Sequence, residues 1–154
     1  MSEKTGTFVV THVDAESAVL TNVADAHVHT LSAHPDFSEG EVLEATVRAE
    51  PPMEVTWEVV AVHDRRTIPV ERSPERPTKL ARDIAGDQSI GEVTRREREG
   101  VGEIHVLTVP EDQTEQAVED VIDDDETRRR AARLGVDRVE IRADAGCVSV
   151  RYLP

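Results

Sequence analysis

The sequence predicts an α+β protein in two parts. A five-stranded β-barrel spans residues 1–72, and a small α+β sandwich spans residues 73–154, with an antiparallel sheet that carries its helices on one face. Three observations predict this. Up to about Arg72 the apolar residues alternate at the period of a strand. Ser73 to Pro77, with two prolines, then breaks the alternation. Beyond it, helical stripes are mixed with two further pairs of alternating segments, the pattern of helices layered on a sheet.

The elements follow in order. "TFVVTHV" and "AVLTNV" flank the turn-like "DAES" and read as a hairpin. "AHVHTL" supplies a short strand, and "HPDFSEGE" a loop with Gly40 just before the next one. "EVLEATVRA" alternates cleanly, and "VTWEVVAV" repeats it with Val55, Trp57 and Val59 inward. Pro51-Pro52 marks the connection between them, because proline cannot donate to a ladder. Val47, Trp57 and Val59 are the expected core. In "ERSPERPTKLARDIAGD", Leu80, Ala81, Ile84 and Ala85 make a helical stripe that ends near Gly86. "IGEVTRRER" and "EIHVLTVP" flank "EGVG" as a second hairpin. "EDQTEQAVEDVI" is helical, with Asp112 and Glu115 spaced as a capping box. "DDDETRRRAARLG" is helical to Gly135, and "DRVEIRA" and "CVSVRYL" pair around "DAG".

The formal charge is −14, and only Lys4 and Lys79 among the basic residues are lysines. Acidity, scarce lysine and a light alanine-valine core resemble the cytoplasmic proteins of salt-loving archaea, where a carboxylate surface keeps a protein soluble. A single cysteine, Cys147, allows no internal disulfide and fits a reducing interior. No apolar run approaches the roughly 18 residues of a membrane span, and "MSEKTGTF" lacks the apolar core of a signal peptide. A cytoplasmic protein is expected.

Two resemblances attach to particular residues. "HPDFSEGEVLEATV", an apolar anchor, an acidic Gly-Glu turn and an alternating strand, resembles the middle of OB-type and TRAM-like nucleic-acid-binding barrels; the resemblance covers about 60 residues. The whole chain also resembles a haloarchaeal protein family of no established activity. Asp25-Ala26-His27-Val28-His29 is similar to the opening of an amidohydrolase metal site. That enzyme's (β/α)₈ barrel needs about 250 residues, however, and only 125 follow His29. His27 and His29, on one face of a strand, remain the alternative metal pair, with His12 and His34 within its scope. No phosphate loop, dinucleotide turn or nucleophile elbow is present, and no motif calls for a cofactor.

The arginines are segregated. Residues 99–127 carry eleven carboxylates and no base, whereas 63–98 and 128–154 are net basic. "DDDETRRR" neutralises itself through i,i+4 pairs such as Asp124 with Arg128, and reads as a solvated face. Arg65, Arg66, Arg96 and Arg98, with Phe37, are the candidate ligand-binding residues, since guanidinium groups bind phosphate and stack on bases. The reading is a non-enzymatic binding protein. Structured RNA is the favoured partner class, an acidic protein partner the alternative, and a small metal-binding or hydrolytic protein using His27 and His29 a third. No membrane partner is expected.

Overall fold

The computed structural model describes residues 3–33, 36–98 and 100–154. The chain divides into two compact units, residues 1–68 with Arg128–Arg133, and residues 69–127 with 134–154.

In the first unit, β1 (Glu3–Val13), β2 (Ala18–Asn22), β3 (Val28–Leu31), β4 (Glu41–Ala49) and β5 (Trp57–Thr67) form one sheet whose hydrogen-bonded order, β1-β2-β3-β5-β4, closes back on β1. The β1–β2 turn forms at "DAES" because the Asp14 carboxylate accepts the N–H groups of Glu16 and Ser17 at 3.0 and 2.9 Å. The core holds Phe8, Leu20, Leu31, Leu43 and Val47, all fully buried. Trp57 and Val59 pack against it half-buried, and Val55 is 70% exposed, because β5 begins only at Trp57.

In the second unit, β6 (Val70–Arg72), β7 (Val93–Glu97), β8 (Glu103–Thr108), β9 (Arg138–Asp144) and β10 (Cys147–Leu153) stand in the order β6-β9-β10-β8-β7. β6 runs parallel to β9, so this sheet is mixed. Helix α1 (Lys79–Asp87) is capped by Thr78, whose hydroxyl accepts the Ala81 N–H at 3.2 Å. Its Ala81 and Ala85 pack on Val106 and Cys147. Helix α2 (Thr114–Asp123) lies beside Leu107, and Leu107 and Val106 point to opposite faces of β8. The two helices therefore cover opposite faces. A 3₁₀ turn over Glu111–Gln113 precedes α2 and makes Gln113 its N-cap, so the expected Asp112–Glu115 capping box does not form. The chain breaks at Asp124 before α3 (Asp125–Leu134), giving two helices over 114–134.

Of the described residues, 46% lie in strands and 21% in helices. The expected α+β class, an OB-like barrel followed by a sandwich with helices on one face, is corrected on these findings to a mostly β protein with two mixed sheets.

Candidate functional site

Arg65 and Phe37 are held together within the first unit. Arg65 donates from Nε to Glu41 Oε2 at 2.9 Å and from Nη2 to Glu41 Oε1 at 2.8 Å, and its Nη2 also reaches the Asp36 carbonyl at 3.1 Å. Its guanidinium lies 5.2 Å from the centre of the Phe37 ring. The hydrogen bond from Arg65 holds the Glu41 carboxyl below its ordinary range, against burial. Phe37 is 4% exposed, with Arg65 over its ring, and so offers no stacking platform. These residues clamp the loop that crosses from β3 to β4, and Gly40 turns it at φ +86°. Arg66, half-buried, points to the opposite side of β5 from Arg65. The structure does not join the two into one patch.

The histidine pair separates. Ala26, at φ 62°, ends the preceding turn, and β3 starts at Val28. His27 is thus outside the strand, exposed, with Nδ1 3.5 Å from Asp25 Oδ2. His29 is 2% exposed and stands edge-on to Phe8 and Trp57, with ring centroids 5.4 and 4.7 Å away. Its buried Nδ1 has no hydrogen-bond partner. Burial, then the Lys4 ammonium, pushes the imidazole below its ordinary value. His12 is exposed on β1, and His34 lies outside the described residues. Among the described residues, no group of three or more histidine, cysteine or carboxylate side chains is arranged to hold a metal ion. Cys147 is buried, and burial pushes its thiol up, which suppresses the thiolate.

Arg96 and Arg98 do come together, at the rim of a groove of about 520 Å³ between α1 and the β7–β8 hairpin. Its floor is apolar, made by Ala81, Ile84, Ile104 and Val106, and Leu80 stands 54% exposed above it. The Arg98 Nη1 donates to the Val101 carbonyl at 2.9 Å and is spent on its own turn. The Arg95 and Arg96 side chains are exposed and make no hydrogen bond or ion pair among the described residues.

Sequence reasoning missed a second arginine group. Arg138, Glu140 and Arg142 share one face of β9, and Arg151 sits beside Glu140 on β10. Glu140 Oε1 accepts Arg142 Nε at 2.6 Å. Arg151 Nε lies 3.1 Å from the same oxygen, at ion-pair distance but not aligned for a hydrogen bond. Burial, then the neighbouring Arg142 charge, pushes Arg151 below its ordinary value. The alternation of "DRVEIRA" carried the first three positions; the β9–β10 register that adds Arg151 is a long-range fact. Similarly, "TRRR" is not a solvated face: Arg128–Arg130 are half-buried, and Arg133 donates to the Val23 carbonyl at 2.9 Å.

Fold and groove together define a β-rich protein of two mixed sheets, with an apolar groove edged by arginine. The chain belongs to the family of unknown function DUF5812, whose model matches residues 4–143. No curated protein and no solved structure matches it. No helix is long and apolar enough to cross a membrane among the described residues.

Proposed function

We propose that this is a non-enzymatic, cytoplasmic binding protein of a salt-loving archaeon, whose ligand is an acidic segment of another protein held in the groove beside α1. One observation carries the reading. An apolar floor with the exposed Leu80 is bordered by Arg96, a cation without an internal partner among the described residues. The acidity and scarce lysine support the salt-loving setting. In molar salt the Debye length is about 3 Å, so charge acts only at contact and apolar burial must supply the affinity. The groove offers both.

Structured RNA fits this geometry less well. Phosphate contacts weaken steeply with salt, so stacking would have to compensate. Phe8, Phe37 and Tyr152 are buried, and Trp57 is half-buried with the Lys4 ammonium 5.3 Å from its ring centre.

A photoreactive amino acid in place of Leu80, activated in a high-salt lysate of the source cell, tests the choice. Adducts should survive RNase, and their protein portion should map to segments rich in aspartate and glutamate. Adducts that RNase removes, or adducts unchanged when Arg96 is replaced by glutamate, would overturn the reading.

A further inference from the structure

We infer that the partner docks as an added β-strand along the open edge of β7, and that it is a different protein carrying two consecutive acidic residues followed by two apolar ones. This rests on the binding reading above and adds to it a mode and a side-chain pattern.

β7 ends its sheet. The Arg98 N–H donates to the Gly102 carbonyl at 3.1 Å, and the Thr108 N–H to the Glu92 carbonyl at 3.2 Å. Even-numbered positions therefore bond toward β8. The alternation of an antiparallel ladder sends the N–H and C=O groups of Val93, Arg95 and Glu97 to the open side. An edge of this kind pairs with any compatible strand unless something repels it. A second copy is repelled. Antiparallel pairing of two β7 strands at full overlap puts Arg95 opposite Arg95, and like charges directly opposite destabilise a ladder.

The partner's pattern follows from the register. Its residue opposite Arg95 shares the ladder hydrogen bonds and meets an exposed guanidinium, so an acid is favoured there. The preceding residue, opposite Arg96, lies on the α1 side of the sheet and is acidic for the same reason. The next two lie opposite Thr94 and Val93. The first of these falls on the groove side; the second meets Val93, itself 47% exposed, with Ile90 nearby in sequence and 66% exposed. Apolar residues suit both. The position opposite Glu97 excludes an acid.

The probe is the fluorescent peptide Ser-Thr-Glu-Glu-Val-Ile-Ser, titrated by anisotropy in molar potassium chloride. Two further copies carry one N-methyl group each. Methylation of the second glutamate removes an amide proton that faces β7, and should weaken binding at least about tenfold through the lost ladder bond and the steric block. Methylation of the first glutamate removes a proton that faces away, and should leave binding unchanged. Equal effects of the two methyl groups would overturn strand addition and leave the groove reading standing, whereas no binding of any acidic peptide would count against both. Arg95→Glu with Arg96→Glu should lose the probe and gain the Lys-Lys counterpart, a rescue that a misfolded variant could not show. Self-association by analytical ultracentrifugation that Arg95→Glu abolishes would show a second copy as the occupant and overturn the inference.

Discussion

Acidification should weaken the first unit through a single side chain, His29. The ring is 2% exposed, packed edge-on between Phe8 and Trp57, with no partner for Nδ1. Burial, reinforced by Lys4 and opposed by Asp25, holds it neutral below its ordinary value of 6.5. In the unfolded chain the same imidazole takes up a proton near that value. Below it the unfolded state therefore binds more protons than the folded one. Stability is full above about 6.5 and falls as the pH drops, by at most about 1.4 kcal/mol per pH unit for one proton, until the folded ring also protonates. His29→Leu removes the titration while keeping an apolar side chain in place. Trp57 is the only tryptophan and its ring contacts His29, so urea unfolding followed by its fluorescence reports on this unit alone. Both proteins would be compared from about pH 8 to about pH 5, spanning the ordinary histidine range, at constant molar salt. The wild type should lose stability relative to the variant. The other five histidines, His12, His27, His34, His63 and His105, are present in both and cancel. The same pH dependence in both, or a wild type that gains stability in acid, would refute the reasoning.

Gly102→Ala should destabilise the second unit by about 3 kcal/mol, a typical cost for forcing strained backbone and a steric clash together. The residue sits at φ +108°, and an added Cβ would fall 2.1 Å from the Tyr152 carbonyl oxygen; thermal unfolding by circular dichroism measures the loss. Arg65→Met should speed amide exchange at Ser38 and Gly40, whose N–H groups bond Glu41 and Val10 at 2.7 and 2.8 Å, because it releases the clamp on their loop. Unchanged protection there would assign the loop's order to Phe37 alone. Dialysis from molar salt to about 10 mM, where the Debye length is about 30 Å, should lower the helical signal, since residues 99–127 hold eleven carboxylates and no base. A constant signal would detach the acidity from salt adaptation.

Local pattern made most strands legible, because alternation and turn chemistry act over a few residues. "DAES" closes through Asp14 just as its composition requires. What failed depends on distance in the chain. β6 is three residues long, too short for a period, and finds its sheet only through β9. The faces taken by α1 and α2 depend on which side of β8 each stripe meets, which neither helix encodes alone. The His-x-His pair misled because parity holds only inside a strand, and the left-handed Ala26 ends that regularity before His27. For the site, Arg96 and Arg98 were readable as one face of a strand. The acceptors that occupy Arg65, and the β9–β10 register behind Arg151, were not.

The pairing of the arginines bears on what the groove is for. In a chain of net charge −14, many cations are captured by carboxylates: Arg48 by Glu58, Arg65 by Glu41, Arg72 by Glu115, Arg76 by Asp144, and Arg142 by Glu140. The side chains of Arg82, Arg95 and Arg96 escape capture among the described residues, and of these Arg95 and Arg96 stand side by side on the edge strand. Protection of an edge strand is one reason to keep charge there, but it is indifferent to sign, since glutamate repels a neighbouring edge as well as arginine does. Recognition of an acidic strand is not indifferent. Arg95→Glu with Arg96→Glu should therefore leave the state of assembly and the solubility in molar salt unchanged while abolishing binding of the acidic peptide. Binding that persists in the variant would assign the pair to edge protection, which either sign of charge provides. Binding lost alone, as expected, assigns it to the ligand.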